Sequence, residues 1–181
     1  MFPRNEIERF LRAVDKALTK PLAVTVIGGT AATLHYGAQR ATQDIDTLTA
    51  VSSALAAAAA VARTATGLGI PIQIVTVADE PEDYVSRLER VLPRLKRLRL
   101  FVPERHDLVL MKSTRAHEHD IQVIREIHEY APLNLEILVD RFINEMSPIG
   151  HPVRIRRNFL TVVEALFPEQ VDAVERRLLG R

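Results

Sequence analysis

Apolar residues recur at positions 7, 10, 11, 14 and 18, the three-and-four spacing of one helical face, between Pro3 and the Lys20-Pro21 pair. The pattern predicts an opening helix with a single buried side. From 22 to 27 that period gives way to a β-branched run ending on Gly28-Gly29, which suits a buried central strand. Thr30 stands where it would cap a short helix over 31–36, and Gly37 where a left-handed residue would stop it. A strand over 44–49 comes next. Ser52 or Ser53 then caps an alanine-rich helix, 54–62, read as tightly packed against a sheet, with Gly67 and Gly69 ending it.

A third strand is expected over 70–77, followed by an acidic turn at 79–83 and a short helix over 84–91. Basic and apolar residues alternate from 97 to 102, as in a half-exposed strand. Pro103-Glu104 opens a long helical pattern that runs past Asp120 to 127, with His117-Glu118-His119 marking a break. Beyond Pro132 the pattern is helical only: one helix capped by Asn134, a loop over 147–152, then amphipathic helices over 155–167 and 168–179. The order predicts an α+β or α/β sheet with an all-helical C-terminal extension, divided as 1–131 and 132–181 with the extension packed on the core as one compact unit.

Composition narrows the function classes. The net charge of +1 over 181 residues leaves any nucleic-acid contact to local patches. Cysteine is absent, which excludes disulfides and thiolate-bound zinc or iron–sulfur centres. No apolar run reaches membrane-spanning length, and positions 1–4 lead into an amphipathic pattern instead of a signal peptide, so a cytoplasmic protein without membrane contact is expected.

The chemistry concentrates in residues 26–48. Asp44 and Asp46, one residue apart on a strand, point to the same face. Two such charges side by side are costly without a cation against them, and a divalent ion with oxygen ligands, magnesium first, is the usual answer. Gly28-Gly29-Thr30, where strand turns to helix, offers bare backbone N–H groups to phosphate. Arg40 lies in the approach to the second strand, where it would meet a substrate phosphate or solvent. Lys112 and Asp120, eight apart, would share a face of a continuous helix, a spacing that serves a structural ion pair as well as a site. The basic run of Arg87, Arg90, Arg94, Lys96, Arg97 and Arg99 reads as a solvated face or as a track for an RNA backbone. His117 and His119 have no standard zinc spacing and read as a polar junction between helices.

The glycine pair with Thr30, residues 31–43, and Asp44-Ile45-Asp46 together resemble the signature of the nucleotidyltransferase superfamily, with its polymerase-β-like fold. With the segment 107–112, Arg115 and Asp120, the chain is similar to the AbiEii-type nucleotidyltransferase toxins, the group that includes the MenT toxins. The likeness spans about 22–124. It implies a nucleotidyltransferase-like mixed sheet flanked by helices. It further implies one or two magnesium ions on Asp44 and Asp46, and a nucleotide cradled by Gly28, Gly29 and Thr30 and contacted by Lys112, to which Arg40 would add a nucleotide contact on the reading of the loop given above. Asp120 would complete the site or orient Lys112. The implied reaction is transfer of a nucleoside monophosphate from an NTP to a hydroxyl of RNA, tRNA in particular, or of a protein. The implied setting is the toxin of a toxin–antitoxin or phage-defence system, its antitoxin encoded nearby.

One feature departs from that pattern. Members of the superfamily usually add a third carboxylate from the strand after the pair, and the polar side chain within 70–77 is Gln73, which is no anionic ligand. Two readings follow: an enzyme working with two acids and help from Asp120, or a catalytically reduced fold that binds nucleotide or regulates. The oligomeric state stays open.

Overall fold

A computed structural model describes residues 1–76, 79–146 and 152–180. The fold is α+β, with a mixed sheet, flanking helices and a helical C-terminal part. The chain divides into two units, residues 1–76 with 88–103, and the described residues of 77–87 with those of 104–181. The Pro132 boundary drawn from sequence falls inside the second unit.

The first unit opens with α1 (Arg4–Ala17), whose Ile7, Phe10, Leu11 and Val14 are all buried, as the spacing predicts. Three strands follow, the first two each leading into a helix: β1 (Leu22–Thr25), α2 (Gly28–His35), β2 (Ile45–Thr47), α3 (Ser53–Thr66) and β3 (Ile72–Ile74). Later come β4 (Glu89–Val91) and β5 (Leu98–Val102). β5 lies between β1, to which it is parallel, and β4, to which it is antiparallel. β2 and β3 pair in parallel, with Asp46 opposite Gln73. A bridge from Val26 to Thr47 joins the end of β1 to β2.

Three local expectations change, and a fourth falls outside the described residues. Helix α3 packs on α1, where a sheet was expected, because Ala58, Ala59 and Ala62 form a flat face that lets another helix approach closely. The helix expected over 84–91 is instead a 3-10 turn, Tyr84–Arg87, followed by β4, whose backbone groups pair with the edge of β5. The strand expected over 70–77 shortens to β3, its last position lying outside the described residues. The loop expected over 147–152 also lies outside them, apart from Pro152. Caps at Ser52 and Asn134 and left-handed glycines at 37 and 67 stand where the sequence put them.

Asp15, on the apolar face of α1, anchors the loop into β5. Its carboxylate accepts the N–H groups of Lys96, Arg97 and Leu98 at 3.1, 2.6 and 2.7 Å. Burial pushes its pKa up, and those three donors more than reverse the effect.

The second unit is helical: α4 (Arg105–Ser113), α5 (Glu118–Tyr130), α6 (Leu135–Glu145), α7 (Pro152–Leu166) and α8 (Val171–Leu179). The long helix expected from Pro103 breaks between α4 and α5, where Ala116 has φ +47° and Asn158 of α7 donates to the carbonyls of Thr114 and Arg115. Phe159 is fully buried and stacks on Phe142 at 4.1 Å.

Candidate active site

The turn after β1 is fastened to the carboxylate strand at several points. Ile27 donates its N–H to the carbonyl of Asp46 at 3.0 Å. Helix α2 begins at Gly28, so Thr30 is not its cap as expected but sits inside its first turn. There its hydroxyl donates to the carbonyl of Asp44 at 2.7 Å, which also accepts from Thr42 at 3.1 Å. The Thr30 proton is spent on holding the acid segment; backbone N–H groups of the first helical turn, which lack intrahelical acceptors, are what α2 presents to an anion.

Gly28 cannot be replaced cheaply. Its φ is +66°, and a Cβ there would lie 2.9 Å from Oδ2 of Asp46. The missing side chain lets the carboxylate lie directly against the turn. At Gly29 a Cβ would come within 3.3 Å of the Thr42 hydroxyl.

Asp44, just ahead of β2, and Asp46, within it, both meet Gln73. The amide Nε2 donates to Oδ2 of Asp44 at 2.7 Å and to Oδ1 of Asp46 at 3.1 Å. Both acids are half-buried. Burial, and then the charge of Asp46, push the Asp44 carboxyl above its ordinary value, so the pair faces a deficit of positive charge. A divalent cation fits this donor set, since carboxylate and amide oxygens are the ligands that hard cations take. Among the described residues no cluster of three or more histidine or acidic side chains gathers for a metal. Arg40 is exposed in the turn between α2 and β2, its carbonyl accepting the Thr33 hydroxyl at 3.1 Å.

Lys112 and Asp120 belong to the second unit, the carboxylate pair to the first, and they form a buried ion pair at 3.0 Å across the break between α4 and α5. Burial raises the Asp120 pKa, but Lys112, with Arg115 and His119, brings it below the ordinary value. Its other oxygen, Oδ2, is buried and meets no hydrogen-bond donor among the described residues. His117 stands at the start of α5 and stacks on His119, at the helix junction read from the sequence.

Sequence reasoning missed a second ionic cluster in this unit. Asp107, fully buried, receives Nε and Nη2 of Arg87 at 2.8 and 3.0 Å, and Arg141 bridges Asp107 and Glu104 at 2.8 and 2.7 Å. Glu145 also accepts from Arg87, which removes that arginine from the basic surface run. His106 accepts the N–H of Asn134 at Nε2, leaving its ring proton on Nδ1 for Glu104. Burial by itself would raise Glu104; the bonds from His106 and Arg141 hold it down at about 2. The signal available in sequence was an acid at 107 immediately before the apolar run 108–111 of α4.

A family model described as "Nucleotidyltransferase of unknown function (DUF6036)" matches residues 5–164. No curated protein and no solved structure matches the chain.

Proposed function

The chain belongs to this family of nucleotidyltransferases of unknown function, and from that membership we propose that it is a magnesium-dependent enzyme moving a nucleoside monophosphate from an NTP to a hydroxyl group. The observation that carries the reading is the carboxylate pair, which meets no cationic side chain among the described residues, set against a glycine turn that opens a helix. Asp44 and Asp46 would hold the magnesium, which when bound neutralises triphosphate charge. The N–H groups of Gly28, Gly29 and Thr30 would take the leaving phosphates, with Arg40 as a further phosphate contact. In the transfer the acceptor oxygen bonds to the α-phosphorus, the bridge to the β-phosphate breaks, and pyrophosphate leaves while the hydroxyl proton passes to water.

The acceptor we favour is RNA, tRNA in particular, with a protein hydroxyl as the other class. The AbiEii-like toxin setting, with a neighbouring antitoxin, belongs to the same proposal. Incubation with each labelled NTP, magnesium, total RNA and a protein extract should label one acceptor class. Asp44→Asn and Asp46→Asn should abolish the label. Absence of label with every nucleotide and acceptor would overturn the reading.

Gln73 supports a second reading, a nucleotide-binding or regulatory module with little turnover, because it stands where a third acid would otherwise be. That reading predicts saturable NTP binding that requires Asp44, without transfer.

A further inference from the structure

Gln73 lies opposite Asp46 on the neighbouring strand, and its amide nitrogen touches one oxygen of each acid. An amide is nearly symmetric about its terminal torsion, whose wells are broad. Turned over, it puts a carbonyl oxygen where the nitrogen now lies. The observed separations, 2.7 and 3.1 Å, bracket the spacing of adjacent oxygens in an octahedral magnesium shell, about 3.0 Å for ligands near 2.1 Å from the ion. The same amide therefore suits the pair in two states. With its nitrogen inward it supplies the positive dipole that two like charges need; with its oxygen inward it supplies a neutral ligand.

We propose that Gln73 is the third ligand of the cation site, presenting Oε1 to a divalent ion held by Asp44 and Asp46, and acting as the ion's stand-in when none is bound. This rests on the metal-binding reading of the carboxylate pair given above. The consequence is a site one charge short of a three-acid site. Its cation affinity is lower and its metal-free state is less strained.

The test reads cation binding, not transfer, by titrating the whole protein with Mn2+ and following the loss of the free-ion EPR signal. Wild type should bind saturably, and Asp44→Asn should not. Q73E should bind about tenfold tighter and Q73L about tenfold weaker. Without metal Q73E should melt lower than wild type and regain the difference on Mn2+ addition, because a third like charge is added to the pair. Since Gln73 is exposed on a short edge strand, circular dichroism should find both variants folded. Q73L binding as tightly as wild type, or tighter, would overturn the proposal, showing that the amide only competes with the ion. Asp44-dependent binding absent from both wild type and Q73E would instead overturn the reading beneath it.

Discussion

Two groups of acids in this molecule have opposite environments. In the second unit, Asp107, Glu104 and Glu145 are met by Arg87 and Arg141, and Asp120 by Lys112. In the first, Asp44 and Asp46 are bonded to one another's neighbour, a neutral amide. The contrast shows in proton affinity, with Glu104 and Asp120 held below their ordinary values and Asp44 raised above it. An acid matched by the chain's own cations stabilises the fold. Acids kept together without such a match leave room for a cation from outside, which is why the pair, and not the larger ionic cluster, carries the functional proposal.

The largest effect that would break this contrast comes from removing a matched cation. Lys112→Met leaves Asp120 buried without its main partner and should cost about 3–5 kcal/mol, measured by urea unfolding. A change below about 1 kcal/mol would show that the pair is not structural. Arg87→Met should act similarly through Asp107 and Glu145.

Acid titration separates the two groups by sign. Glu104 has an ordinary value of 4.5 and a folded value of about 2. Its contribution, roughly 3 kcal/mol at 1.36 kcal/mol per unit, is present above pH 4.5 and is lost as pH falls towards 2. Asp44 is raised, so its charging opposes folding, and acidification relieves that strain. Unfolding free energies from pH 6 to pH 3 should therefore fall steeply in wild type and less so in Glu104→Gln. Asp44→Asn should steepen the acid-side loss slightly, since the relieving group is gone.

A smaller effect is expected at the turn. Gly28→Ala should cost about 1–2 kcal/mol from its left-handed backbone, with a further loss of cation affinity as Asp46 is pushed aside. Unchanged Mn2+ binding in a folded Gly28→Ala variant would separate the turn from the carboxylate pair.

Most of the fold was legible in the sequence because its signals are local. The α1 stripe at 7, 10, 11 and 14, the Ser52 and Asn134 caps and the left-handed Gly37 and Gly67 each depend on a few adjacent residues. The Gly28–Asp46 segment was legible for the same reason, since strand alternation alone aligns the two acids. What escaped depends on contacts distant in sequence. Asp15 acts on residues 96–98, and Arg87 reads as one of a surface run until Asp107 and Glu145 are seen around it. Gln73 was visible as the residue lacking a charge, but only the pairing of β2 with β3 sets its amide between both carboxylates.

On this reading Asp44 and Asp46 are kept for an external cation and nucleotide at no benefit to the fold. Thermal unfolding of wild type and Asp44→Asn, each with and without magnesium and NTP, tests it directly. Without ligand the variant should melt no lower than wild type, and only wild type should gain stability on adding magnesium and NTP. A variant that melts several degrees lower on its own, in a protein whose wild type shows no shift with ligand, would contradict the account and make the pair a structural feature.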